Sequence, residues 1–460
     1  MPHDGPAPDR SASLAPDLSD IEKHKLPVLT CSIVVGLLAG IVGALFQWGI
    51  AWGQLLLQRL QEVSLGFGMP GWLAPAAGSA VLVWGAIFLV RRYAPEASGS
   101  GVPEIEGALA GLRPMRWARV LPVKFLGGVM SLSAGMVLGR EGPTVQLGGG
   151  LGQMIGRGLH MGRDQLHILI AAGAGAGISA AFNAPLAGIL FVIEEMRPHF
   201  KYGFLSVQAV VIASGAAALA LRRLTSQAPD IAMQHFEPAP LVSLGLFLLL
   251  GAMFGVIGYA FNASLVGTLN IFAKLRGRFD YLGGLLVGAA VGFASWKYPH
   301  VAGEGYETIR WAVLPHSTVG LLLAVFAARF VANMLCYGCG APGGIFAPML
   351  ALASLFGSAY GIVAQKWFPA WVAQPGMFAV AGMGALFAAT VRAPLTGIAL
   401  TIEMTQNYGL ILPLILTCWG ATIVAQGLGA RPIYTVLLER TLRMAGTKTN
   451  PVASKTPSDS

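Results

Sequence analysis

The 460-residue chain is 55% hydrophobic and only 11% charged, so unlike a soluble domain, with roughly a quarter of its residues charged, it cannot face water on every side. Its 61 glycines and 28 prolines form neither a collagen repeat nor a low-complexity tract, and they suit closely packed membrane helices. The formal charge of +9 is scattered over short loops between apolar runs, which argues against a nucleic-acid-binding face.

In chain order, residues 1–27 carry five prolines and five acids and read as a disordered cytoplasmic tail without signal-peptide layout. A first transmembrane repeat is expected over 28–235 and a second, ending in a pore-lining helix, over 236–444. Residues 445–460 read as another disordered tail, with no soluble domain after the last helix. Apolar spans of ~20 residues are clear near 28–52, 73–90, 204–221, 241–265, 281–296, 318–335 and 409–429. Elsewhere Gly/Pro clusters at 99–103, 139–151, 173–188, 338–348 and 382–397 cut the apolar sequence. Broken helices are tolerated in a membrane where they line an internal cavity, so these clusters point to a transport pathway. Arg91, Arg92, Arg113, Arg116 and Arg119 crowd one loop region, whereas 54–72 holds only Arg59. The positive-inside rule makes the first cytoplasmic and the second external, and puts both termini in the cytoplasm of a multi-pass protein in the cell's inner (plasma) membrane.

Ala184-Pro185-Leu186-Ala187-Gly188-Ile189 followed by Ile193-Glu194 matches Ala393-Pro394-Leu395-Thr396-Gly397-Ile398 followed by Ile402-Glu403, at an offset of 209 residues. Gly139–Pro143 and Gly344–Pro348 share a G-x-x-x-P frame at offset 205, and Gly99-Ser-Gly-Val102 pairs with Gly303-Glu-Gly-Tyr306 at offset 204. The chain is therefore two homologous halves. The residues alone leave open whether they run parallel or inverted.

Three segments, Gly99–Pro103, Gly139–Pro143 and Gly344–Pro348, have the form of helix starts, with Ser100 a suitable N-cap and proline in the first turn. Helix N-termini present unpaired N–H groups and a positive dipole end, and several converging make an anion site without a buried lysine. Any one alone is an ordinary helix start; three on a repeated frame are not. Glu141 puts a carboxylate at such a start deep in apolar sequence, where an ionised acid costs several kcal/mol unless compensated. Ionised, it mimics an anion in the site; protonated, it is free to leave. Glu194 and Glu195 end an apolar run before Met196-Arg197-Pro198-His199-Phe200-Lys201, a cytoplasmic place from which to hand protons to Glu141, unless one of the pair bonds Arg197 or solvent. Tyr434 is either an interfacial aromatic or an anion contact, and Lys124 and Arg392 either raise the local potential or pair with acids. Cys336 and Cys339 form a lone C-x-x-C with no partner pair or histidine nearby, and read with Cys31 and Cys418 as packing. The sequence offers no Ser/His dyad, no H-E-x-x-H and no metal-ligand cluster, so an enzyme is not expected.

Gly99-Ser100-Gly101-Val102-Pro103, Gly139-Arg140-Glu141-Gly142-Pro143 and Gly344-Ile345-Phe346-Ala347-Pro348, in this order, resemble the CLC family of chloride channels and chloride/proton antiporters. Pro103–Gly107, Ala341–Gly344 and Ala393–Gly397 look like its bacterial antiporter branch, and the likeness covers about 28–445. The resemblance implies an all-α fold of two inverted repeats with about eighteen tilted, partly discontinuous helices. It implies a homodimer with one pathway per subunit, exchanging chloride against protons with no cofactor or metal. It also implies that the Ser100 and Tyr434 hydroxyls and the Ile345 and Phe346 amides bind chloride, that Glu141 is the gating glutamate, and that Glu195 is the internal proton-transfer glutamate. Having both acids favours exchange over a passive, proton-gated channel, and Ser100 argues against the fluoride-exporting branch. Cys336-Tyr-Gly-Cys339 departs from the Ser-rich stretch of bacterial relatives but leaves the anion ligands in place.

Overall fold

The structure, a computed structural model, describes residues 18–444 apart from 197–202, 227–230, 276–279 and 315–317. Among these there are seventeen α-helices and no strand, and eight of the helices are long and apolar enough to cross a membrane. The first eight are α1 (Leu18–Gly66), α2 (Leu73–Tyr93), α3 (Val102–Leu109), α4 (Trp117–Ser133), α5 (Glu141–Gly158), α6 (Arg163–Phe182), α7 (Pro185–Glu194) and α8 (Phe204–Leu224). The next eight repeat their pattern of long and short: α9 (Leu244–Lys274), α10 (Asp280–Lys297), α11 (Tyr306–Val313), α12 (Val319–Gly338), α13 (Phe346–Trp367), α14 (Gly376–Val391), α15 (Pro394–Thr405) and α16 (Ile411–Gly427). One further helix, α17 (Ile433–Met444), follows.

The halves are related by a pseudo-two-fold, visible in contacts that an element makes with its own copy. α2 packs on α10, and α7 on α15. Gly139 and Gly344, equivalent in the repeat, exchange both backbone hydrogen bonds at 2.9 and 2.7 Å. Glu194 accepts from the Leu395 and Thr396 amides at 3.0 and 2.6 Å, while its copy Glu403 accepts from Leu186 and Ala187 at 3.0 and 2.8 Å. Such reciprocity is what a two-fold imposes.

α4 fixes the direction of the axis. Arg116 at its start pairs with Glu96 at 2.6 Å on the arginine-rich side, and its seventeen residues climb ~25 Å. Lys124 in its first half holds the Ala97 and Gly99 carbonyls, whereas Gly135 beyond its far end accepts from Gly303 at 2.8 Å. The equivalent Gly99 and Gly303 loops therefore lie toward opposite ends of α4, and the repeats are inverted.

Two expectations change. The glycine-rich stretches 142–152 and 173–177 do not interrupt helices; they lie inside α5 and α6 and let the two backbones touch. A Cβ on Gly148 would collide with the Gly173 carbonyl, one on Gly173 with that of Gly148, and one on Gly177 with that of Thr144. The breaks fall within the expected clusters 173–188 and 382–397, at Asn183 and Arg392, both left-handed (φ +52° and +72°) and repeat-equivalent. α1 also begins at Leu18, before residue 28, with Pro27 inside it; a helix once nucleated extends outward at little cost. The tail residues 1–17 and 445–460 and the basic run 197–202 lie outside the described residues.

Gly173→Val is expected to destabilise by about 3 kcal/mol or more, because backbone cannot yield to the added methyls. Gly215→Ala and Gly267→Ala, inside α8 and α9 with Cβ atoms that meet nothing within 4 Å, should keep or slightly raise the unfolding midpoint in detergent; a thermal scan of the three variants checks both statements.

Candidate functional site

Where the halves meet, two bridges clamp the loops that precede three helices. Gly99 pairs with the Pro342 stretch, the Gly343 amide donating to its carbonyl at 3.0 Å, and Gly139 pairs with Gly344. Glycine is required here by space. Side chains on Gly139 and Gly344 would land on the Glu141 carboxylate, and a Cβ on Gly142 would come within 2.7 Å of the Ser100 carbonyl and hydroxyl oxygens. The result gathers Ser100, Glu141, Ile345, Phe346 and Tyr434 around one point, each at most 1% exposed.

The Phe346 amide donates to Glu141 Oε1 at 2.6 Å, and the Ala347 amide also faces this carboxylate. These are first-turn N–H groups of α13, which no helical carbonyl can satisfy. The Phe346 ring is held by Phe387 (centroids 4.6 Å, perpendicular), Phe191 (5.6 Å) and Tyr434 (5.8 Å). Ser100 is not the cap of α3, contrary to the sequence expectation: Gly101, left-handed at φ +91°, holds that place, and no side chain caps the helix. The Ser100 hydroxyl is thereby released. It and the Tyr434 hydroxyl are buried and lie close to each other.

No full positive charge is presented to this point by the two basic residues that the sequence left open. Lys124 directs its ammonium to the Ala97 and Gly99 carbonyls at 3.0 and 2.6 Å, and Arg392 clamps the Ala430 carbonyl. Both position loops.

On the arginine side a cavity of about 400 Å³, rimmed by Arg91, Arg113 and Arg440, reaches Ser100. The adjacent glutamates divide their tasks. Glu194 turns to cap α15, also accepting from the Thr396 hydroxyl at 2.7 Å, whereas Glu195 ends α7 buried beside Glu106 of α3, close enough to share a hydrogen bond. Glu195 thus stands beside Glu106 of α3, apart from the carboxylate of Glu141. Sequence reasoning missed two residues. Glu106 lies in Pro103-Glu-Ile-Glu-Gly107, where its i+2 spacing from Glu104 sets it on another face: Glu104 pairs outward with Arg113 at 2.7 Å, and Glu106 points inward. Tyr337 accepts from the Ser100 amide at 3.4 Å, and nothing in its apolar surroundings marks it. Cys336 and Cys339 are buried free thiols; the Val137 amide donates to Cys336 Sγ at 3.4 Å.

Residues 81–426 match the family model described as voltage gated chloride channel. The H(+)/Cl(-) exchange transporter ClcA of Vibrio cholerae is 51% identical over 430 residues, 92% of each chain. That of Cronobacter sakazakii is 48% identical over 440 residues, 94% of each. Among solved structures, a slow cyanobacterial Cl-/H+ antiporter superposes with a TM-score of 0.88 at 43% identity, covering 94% of this chain and 100% of that one. A CLC-type fluoride/proton antiporter shares the fold at 17% identity, with a TM-score of 0.72, 92% of this chain and 99% of that one being covered.

Glu194→Ala leaves two first-turn amides of α15 without their cap, so it should cost about 1–2 kcal/mol of stability, read as a lower unfolding midpoint. Anion affinity by isothermal titration should not change, since this carboxylate stands outside the Glu141 cluster.

Proposed function

The chain belongs to the voltage gated chloride channel family, and we propose that it exchanges chloride for protons across a membrane. The observation that carries this reading is the Glu141 carboxylate resting on the first-turn amides of α13. A carboxylate there takes the contacts that a dehydrated halide would make. Chloride and ionised Glu141 then compete for one place, and protonation removes the competitor by taking its charge away. One side chain thereby links proton binding to anion occupancy.

Chloride is bound by the Ser100 and Tyr434 hydroxyls and by the Ile345 and Phe346 amides. Partial charges suit this task, because a buried full cation would hold the ion too tightly for rapid release. Glu195 takes protons from the cytoplasm and passes them toward Glu141, with Glu106 beside it. A passive chloride channel needs no second buried acid on the inner side, which favours exchange, as do the names of the relatives. No cofactor takes part.

The protein works as a homodimer in the inner membrane, with both termini cytoplasmic. α7 and α15, ten and twelve residues long, span only ~15 and ~18 Å, well short of a ~30 Å hydrocarbon layer. They lie against each other beside α16, and Leu186, Leu395, Ile415 and Trp419 stay exposed on this face. A second copy would cover these short helices. Each subunit keeps its own pathway, since every ligand named comes from one chain.

In liposomes, an imposed chloride gradient should drive protons uphill; dissipation of chloride without proton movement would establish the channel instead. Glu141→Gln should keep chloride flux and lose coupled proton transport at every pH. Glu195→Gln should likewise retain chloride flux while proton pumping falls below detection, as followed with a pH electrode.

A further inference from the structure

The arginine-rich side carries a second opening, lined by other residues than the cavity that reaches Ser100. Where the end of α2 lies against the start of α4, Arg92, Tyr93, Ala118, Arg119, Pro122 and Val123 line an open groove of about 480 Å³. Beneath it Val90 and Ala94 of the α2 end pack with Val120 and Val123 of α4. The acids of this region are committed, Glu96 to Arg116 at 2.6 Å and Glu104 to Arg113 at 2.7 Å. Arg92 and Arg119 are exposed, and among the described residues neither guanidinium pairs with an acid or meets a hydrogen-bond acceptor. Arg92 lies only over the ring of its neighbour Tyr93, at 5.7 Å.

Each arginine stands at the head of an apolar stripe. α2 is long and apolar enough to cross a membrane, and Phe88 and Trp84, one and two turns before Arg92, stay exposed on it. On α4, Pro122 and Leu126, one and two turns after Arg119, are exposed likewise. Since α2 ends and α4 begins here, both stripes run from the arginines toward the interior of the membrane. Guanidinium groups match phosphate oxygens in charge and in fork geometry. Pro122 has no N–H to give the Ala118 carbonyl, which leaves an acceptor in the groove for a headgroup hydroxyl.

We propose that this groove binds one anionic phospholipid, its phosphate between Arg92 and Arg119, its acyl chains along the two stripes and a hydroxylated headgroup beside Ala118. A free phosphate would satisfy the guanidinium groups and leave the stripes bare. A zwitterionic lipid would bring an ammonium against two arginines. The bound lipid bridges α2 to α4 directly behind the Ser100 loop: Glu96, between the two helices, is gripped by Arg116, and Lys124 of α4 holds the Gly99 carbonyl. The site lies outside the Glu141 cluster, and the inference rests on membrane-spanning helices alone, not on exchange.

The full-length protein in dodecyl maltoside is titrated with phosphatidylglycerol, phosphatidylcholine or sodium phosphate. Lipid retention is counted by native mass spectrometry, and the unfolding midpoint is recorded in parallel. Phosphatidylglycerol should be retained and raise the midpoint; the other two, at equal concentration, should do neither. Arg92→Gln and Arg119→Gln should each weaken phosphatidylglycerol retention by about fivefold, and the double variant by more. Ala118→Trp fills the groove while keeping both charges and should abolish retention, so a fold defect in a glutamine variant would not hide the outcome. Arg157→Gln, at an exposed arginine in the last turn of α5 outside the groove, should change nothing. Equal retention of phosphatidylcholine, equal protection by phosphate alone, retention undiminished in Ala118→Trp, or an equal loss in Arg157→Gln would overturn the assignment.

Discussion

A backbone amide donating to a carboxylate sets the terms for this structure. Phe346 N–H offers Glu141 a fraction of a positive charge, in a place closed to water. A lysine in that position would win the anion and keep it. In the proposed exchange, a partial charge holds either chloride or glutamate by a margin that one proton can reverse. The fold then has to bring helix starts, which are ends and normally lie at surfaces, to the middle of a membrane protein.

Inversion solves this geometric problem. Helices that begin at mid-depth leave their preceding loops inside the protein, where each backbone group needs a partner. A two-fold lets each half supply the other: Gly139 and Gly344 satisfy one another, Glu194 and Glu403 cap one another's helices, and the Gly99 loop pairs with the Pro342 stretch. Neither half could bury its own loops without these exchanges. Lys124 and Arg329 complete the pattern by placing full cations on loop carbonyls, behind the loops rather than facing the anion.

What was legible in the sequence is what local chemistry dictates. G-x-x-x-P frames and the repeated Ala-Pro-Leu-x-Gly carry their conformations within five or six residues, and an acid in a first turn within apolar sequence is conspicuous at Glu141. Glycine was ambiguous. A run such as Gly173-Ala-Gly-Ala-Gly177 reads alike whether it breaks a helix or lets one touch another, and only the presence of α5 opposite decides. The breaks fell inside the Gly/Pro clusters at Asn183, a residue type that commonly takes the left-handed helix end, and at Arg392, whose left-handed backbone nothing in the sequence marks. Glu106 and Tyr337 escaped because their relevance depends on partners 89 and 237 residues away in the chain. The N-cap expected of Ser100 was wrong: the glycine after it holds that position at the start of α3.

The α5–α6 seam has a mechanical implication. With Gly148 against Gly173 and Thr144 against Gly177, carbonyls press on bare Cα atoms, and no side chain is available to compress, rotate or slide. Rocking of one helix over the other would need the whole layer to separate, so this seam acts as a stiff keel. Motions that accompany transport therefore have to run elsewhere than between α5 and α6.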